Sequence, residues 1–218
     1  MRKKIDYSVN RDKYNSYSRE IERLVPPSSE VLDIGCTTGG LAKALKKKRC
    51  KVVGIDIDQA SLKVAAKYCE KVYKVDVDDL KDFNAKLKGR KFDVIAIGDL
   101  LEHLKHPGVF LFHLKKYLSS DGMIIAKIPN SAFVWLRMRF LLGNFTYQKG
   151  GGLMDEDHLR FFSFKSAKQL FLDDGYKIEK MMSSNEAIQS KRFFLIRPLG
   201  KIWPSLFSIH MIVVAKNG

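Results

Sequence analysis

Val31-Leu-Asp-Ile-Gly-Cys-Thr-Thr-Gly-Gly40 is the stretch that decides the fold. Val31 to Ile34 reads as a short buried strand. Gly35 and Gly39 make a tight turn, and Leu41, Ala44 and Leu45 fall on one face of a helix that opens behind it. Glycine in such a turn lets backbone approach a ligand, and a helix N-terminus offers unbonded N–H groups. Taken alone, the string is equally a plain strand-to-helix connection.

The same alternation continues outward. Val52 to Ile57 is a second strand, Ala60 to Glu70 a helix, Val72 to Val75 a third strand and Phe92 to Ile97 a fourth. Val109 to Leu118 is helical and Met123 to Ile128 is a fifth strand. Beyond Pro129 the pattern changes, and residues 131–152 are apolar, aromatic and basic, ending in three glycines. Ser163 suits the N-cap of a helix through Asp174, and Gly175 suits the residue after its end. Tyr176 to Met181 and Ile209 to Ala215 complete seven strands. Strands alternating with helices pair in parallel through right-handed crossovers, and near-continuous apolar strands are covered on both faces. The expectation is an α/β fold: a doubly wound, mostly parallel seven-stranded sheet with a small lid insertion. Its parts are a helical segment at 1–28, stopped by Pro26-Pro27, a core at 29–130, an insertion at 131–160 and a completing part at 161–218.

Composition bounds the function classes. The 218 residues suit one domain, and 45% hydrophobic content argues against disorder. The net charge of +15 fits nucleic acid, an anionic membrane surface or an acidic substrate, and fits equally a lysine-rich background such as Lys46-Lys47-Lys48. Cys36, Cys50 and Cys69 match no zinc spacing and read as reduced thiols, so no metal is expected from sequence. Met1-Arg-Lys-Lys4 has no apolar run behind it, and no stretch approaches a membrane span, so the expected location is cytoplasmic.

Asp33, Asp56 and Asp76 sit at or near the ends of the first three strands. An acidic side chain ending the second strand can accept both ribose hydroxyls of a nucleoside ligand, NAD included. Asp33-Ile-Gly35-Cys-Thr-Thr-Gly39 resembles the first motif of class I S-adenosylmethionine (SAM) dependent methyltransferases, with Thr37 standing where the motif has its central glycine. Gly54-Ile-Asp56-Ile-Asp58, Asp76-Val-Asp-Asp-Leu80, Phe92 to Leu104 and Gly122 to Pro129 resemble the following motifs in order. The resemblance implies a Rossmann-like fold, SAM as cofactor and S-adenosylhomocysteine as product. It implies a cofactor site of Asp33, Gly35, Cys36, Thr37, Gly39, Asp56, Ile57, Asp76, Val77, Gly98 and Asp99. Gly152-Leu-Met-Asp155-Glu-Asp-His158-Leu-Arg160-Phe-Phe-Ser163 is similar to the type 11, 12 and 23 methyltransferase group, whose members are associated with surface-glycan and envelope biosynthesis.

Methyl transfer from a sulfonium mainly requires alignment and exclusion of water. A hydroxyl acceptor gains from a base, for which His158 and then His103 are candidates. Each also has a plain alternative: His158 tying the lid to the sheet, and Glu102-His103 orienting a turn. Arg160 can anchor an acidic acceptor or pair with Asp155 or Asp157, and Trp135 and Tyr147 are further acceptor-side candidates. Phe133 to Leu142 and Lys191 to Pro198 mix bulky apolar residues with arginine, and suit either a lid packed on the core or contact with an anionic membrane. The expected reaction is methylation of a hydroxyl, or an amine, on a small, glycan-like or lipid-linked acceptor. The alternatives are an RNA methyltransferase, a non-catalytic SAM-binding protein and a nucleotide-dependent oxidoreductase.

Overall fold

The computed structural model describes residues 19–184 and 198–218. The early part of the leading segment and nearly all of Lys191–Pro198 lie outside those residues. In chain order the elements are α1 (Arg19–Leu24), β1 (Glu30–Ile34), α2 (Gly40–Leu45), β2 (Lys51–Asp56), α3 (Gln59–Ala65), β3 (Lys71–Lys74), α4 (Leu80–Leu87), β4 (Phe92–Gly98), α5 (Pro107–Leu114) and β5 (Leu118–Pro129). There follow α6 (Val134–Leu141), α7 (Phe164–Asp173), β6 (Tyr176–Ser184), α8 (Leu199–Ile202), α9 (Pro204–Phe207) and β7 (His210–Asn217).

The seven strands form one sheet in the order β3-β2-β1-β4-β5-β7-β6. The first five pair in parallel, while β7 enters between β5 and β6 and runs antiparallel to both. The chain winds outward from β1 to β3, then restarts at β4 on the other side. Adjacent connections therefore leave in opposite directions between β1 and β4, and a crevice opens at the carboxyl ends of those strands.

Alternation along the strands makes two cores. Leu32, Ile34, Val53, Ile55, Ile95, Ile97, Ile124 and Ala126 point to one face, where Phe83, Phe110, Leu111 and Phe171 of α4, α5 and α7 cover them. Val31, Val52, Val94, Ala96 and Ile125 point to the other, under Ile21 of α1 and Leu41, Ala42 and Leu45 of α2. Burying both faces is what makes these strands near-continuously apolar.

Helix α4 carries Leu80, Phe83 and Leu87 at helical spacing toward the core and starts on a side-chain cap. Asp79 accepts hydrogen bonds from the amides of Lys81 and Asp82, so the Asp78-Asp79 turn is an N-cap. Helix α7 begins on a reciprocal cap between Ser163 and Ser166. It ends at Asp173, and Gly175 follows with φ +70°. The helix after β2 is shorter than its pattern suggests, ending at Ala65 before turns that carry the chain to β3. His113, a surface position by sequence, is half-buried against Phe83 and bonds Asn84 Oδ1 at 2.7 Å.

Phe171 is fully buried between α7 and the sheet and meets Tyr176 edge-on. Phe171→Ala is expected to cost about 3–5 kcal/mol in denaturant unfolding. Phe145→Ala, at an exposed ring, is expected to change stability by under about 0.5 kcal/mol. Equal losses would contradict this placement of the core.

Candidate active site

The turn after β1 leaves the sheet through three residues of left-handed backbone: Gly35 (φ +76°), Thr37 (φ +44°) and Gly39 (φ +79°). A side chain at Gly39 would also strike α3, since a Cβ there would lie 2.9 Å from Ala65 Cα. The amides of Gly35 and Cys36 donate to the Ile55 carbonyl, and the Thr37 amide donates to Asp56 Oδ2 at 2.8 Å. The other oxygen of Asp56 accepts from Asp58 N at 2.9 Å. Each carboxylate oxygen has two lone pairs, so Asp56 keeps acceptor capacity for a pair of hydroxyls. Ile57, next to it, is 46% exposed, as a residue covering a flat ring must be. Asp76 accepts from Asp78 N at 3.0 Å, which orders the turn after β3, with Val77 half-buried beside it. Backbone that turns close and open, an acidic group at the β2 end and an exposed apolar side chain are the features a nucleoside cofactor requires.

Two buried groups line this end of the sheet. Asp33 is buried, and burial first, then the nearby Asp56, push its carboxyl up to about 7. Cys36 packs with Cys69 around Gly54, where a Cβ would lie 2.7 Å from Cys36 Sγ and 3.1 Å from Cys69 Sγ. Burial, then Asp33 and Asp56, push the Cys36 thiol far up, so it is a packed residue and not a nucleophile.

Across the crevice, the turn after β4 carries a second cluster. Asp99 has left-handed backbone (φ +49°), with its amide donating to the Lys127 carbonyl. Its carboxylate takes the Lys127 ammonium at 2.9 Å, and His210 Nε2 lies 3.6 Å away. Removal from bulk water raises the Asp99 carboxyl, but Lys127 and then His210 outweigh it and leave the group below the usual range. Burial lowers His210 to about 4, so that imidazole is neutral at pH 7.

Three residues on, Glu102 is 1% exposed. Burial, then Asp99, hold its carboxyl well above the usual range. Its backbone carbonyl accepts from the amides of Leu159 and Arg160 at 2.8 and 2.9 Å, which ties the insertion to this turn. That tie brings His158 against His103, with ring centroids 4.8 Å apart and planes at 73°. His103 Nδ1 bonds the Asp157 carbonyl at 3.0 Å, and His158 Nδ1 bonds the Leu153 carbonyl at 3.3 Å. Burial, then His103, lower the His158 imidazole, which keeps it neutral.

The two histidines from separate motifs therefore meet, whereas the acceptor-side residues do not cluster with them in the same way. Arg160 spends its guanidinium on the Lys105 and Leu159 carbonyls and not on Asp155 or Asp157. Trp135 and Tyr147 are more than half exposed on α6 and the loop beyond it. Lys127 and His210 had no signal of their own, because each stands inside an apolar strand. Only the register of β4, β5 and β7 brings them to Asp99.

Residues 9–181 match the family described as a methyltransferase domain. The chain belongs to that family. Its fold is that of the class I SAM-dependent methyltransferases. A SAM-dependent methyltransferase from Archaeoglobus fulgidus superposes over 97% of this chain and 100% of its own, at 18% identity and TM-score 0.65. Magnesium protoporphyrin IX methyltransferase from Synechocystis, solved with bound S-adenosylhomocysteine, matches 88% of this chain and 75% of its own, at 17% identity and TM-score 0.58. Family and fold together make SAM the cofactor. The ubiquinone biosynthesis O-methyltransferase of Actinobacillus pleuropneumoniae is 32% identical over 107 residues, 46% of each chain. This chain spans about half the length of the curated relatives it matches.

Asp33 gives a pH signature. Its folded value of about 7 exceeds its ordinary value of 3.8. Between these values the folded chain holds a proton that the unfolded chain releases, so this group lowers stability as pH rises, with the full penalty above 7. Asp33→Asn removes the penalty. The variant is expected to melt above the parent at pH 8, with the gap closing toward pH 4. A gap independent of pH would contradict the assignment.

Proposed function

We propose that this chain moves the methyl group of SAM to a hydroxyl oxygen of a small acceptor, and that His158 and His103 manage the hydroxyl proton. When bound, SAM supplies an electrophilic methyl on a sulfonium. The loop from Gly35 to Gly39 and Asp33 would cradle the cofactor, with Asp56 accepting from its ribose hydroxyls. Ile57, Asp76 and Val77 would flank the base, with Gly98 and Asp99 on the amino-acid side. The observation that carries the reading is the imidazole pair beside this crevice. Each ring has its Nδ1 taken by a carbonyl, which leaves Nε2 as the atom free to accept. A neutral imidazole can take a proton as the oxygen attacks. The O-methyltransferase names of the curated relatives support oxygen over nitrogen.

A lipid-borne acceptor is favoured over a freely dissolved one by α6. That helix buries Leu136 but exposes Trp135, Met138, Leu141 and, just beyond it, Leu142, with Arg137 and Arg139 among them. Its apolar residues thus mostly face away from the core. No helix among the described residues is long and apolar enough to cross a membrane, so contact would be peripheral. The full chain is expected to float with anionic vesicles at low salt and to be released at high salt. No retention at low salt would remove this refinement.

The division of labour is testable by calorimetry and methyl-transfer assay against sugar, lipid-linked, phenolic and RNA acceptors. Asp56→Ala is expected to weaken SAM binding by about 1–3 kcal/mol. His158→Ala is expected to preserve SAM affinity and to slow transfer by about 100-fold or more. Equal loss of SAM binding in both variants would contradict the proposal, as would transfer to RNA alone.

A further inference from the structure

Glu102 and His103 lie on the turn after β4, and His158 arrives from the insertion. One carboxylate oxygen and one nitrogen from each ring lie within 4.8 Å of one another. We propose that these three side chains bind a single divalent d-block cation of the zinc class, with its remaining positions open to the acceptor.

Three observations converge on that trio. Glu102 is buried, and its Oε2 has no hydrogen-bond partner. A buried oxygen left so costs about 1–3 kcal/mol, and such a group calls for a cation or a donor. The nearby ammonium of Lys127 is instead given to Asp99. Both histidines hold Nδ1 against a backbone carbonyl. That fixes the tautomer and leaves the Nε2 lone pair exposed, which is how imidazoles are held when they ligate metal. The bonds from Leu159 and Arg160 to the Glu102 carbonyl lock the two stretches together, so the ligands are held near one another.

Ligand chemistry selects the ion. Two imidazoles and one carboxylate suit zinc or iron more than magnesium or calcium, and three protein ligands leave room for a reacting oxygen. At a bond length near 2.1 Å, tetrahedral ligand atoms stand about 3.4 Å apart, so the widest separation in the trio has to contract by up to about 1.4 Å. This proposal rests on the hydroxyl-acceptor reading above and refines it. The cation takes the acceptor oxygen and eases loss of its proton to water. The O–C bond then forms as the S–C bond breaks, and the electron pair stays on sulfur. With the cation bound, Nε2 of each ring is a ligand, so the acceptor proton leaves to water in place of direct acceptance by an imidazole.

Tag-free, chelator-stripped full chain titrated with Co²⁺ tests this by visible absorption, apart from any turnover. One equivalent is expected to give a ligand-field spectrum that Zn²⁺ abolishes. Glu102→Gln and His158→Asn are each expected to weaken Co²⁺ binding by about tenfold or more. His106→Asn, at an exposed position, is expected to change nothing. SAM calorimetry on each variant shows that it is folded, and His103→Gln replaces any variant that is not. Absence of a stoichiometric spectrum in the parent, or its persistence in both ligand variants, would overturn the proposal. A chain that binds Co²⁺ but not SAM would overturn the proposed function and leave the cation site standing.

Discussion

The hydrogen bond from the Thr37 amide to Asp56, 2.8 Å long, is the contact on which the cofactor side of the molecule depends. It joins the loop after β1 to the end of β2, the two places where a doubly wound sheet presents backbone and charge to a ligand. Thr37 pays strain for that position. A β-branched residue at φ +44° costs about 1–3 kcal/mol, and it persists because the strands on either side are fixed by burial on both faces. The sheet thus supplies the rigidity that the loop consumes.

Buried charge divides the crevice into two environments. On the β1 and β2 side, Asp33 and Asp56 stand close without a neutralising partner of their own, which raises Asp33. On the β4 side, Lys127 is placed on Asp99 and keeps it ionised, while Glu102 only three residues away is pushed the other way. Beside it, burial and then His103 lower the His158 imidazole.

Much of this was legible in the residues. The turn at Gly35 to Gly39, the acidic strand ends and the apolar central strands are local patterns, so their order along the chain carried the fold, the family and the cofactor. Helix α4 rests on a short signal, Leu80, Phe83 and Leu87 at helical spacing behind the Asp79 N-cap, which the intervening polar residues obscure. The His103–His158 meeting depends on two amides of the insertion reaching the Glu102 carbonyl, a contact 55 or more residues apart in sequence that no spacing rule contains. The same holds for Lys127 and His210, which look like interruptions of apolar strands until the register of β5 and β7 aligns them with Asp99. Sequence carries an expectation of no metal, and the ligand set proposed above, Glu102, His103 and His158, comes together only in the fold.

The most direct test of the central claim is calorimetric titration of the intact chain with SAM, its demethylated product and NAD under the same conditions. One site for SAM and for the product, with no heat from NAD, is the expected result. No binding of SAM, or binding of NAD in its place, would contradict the assignment of the crevice at the carboxyl ends of β1 and β4.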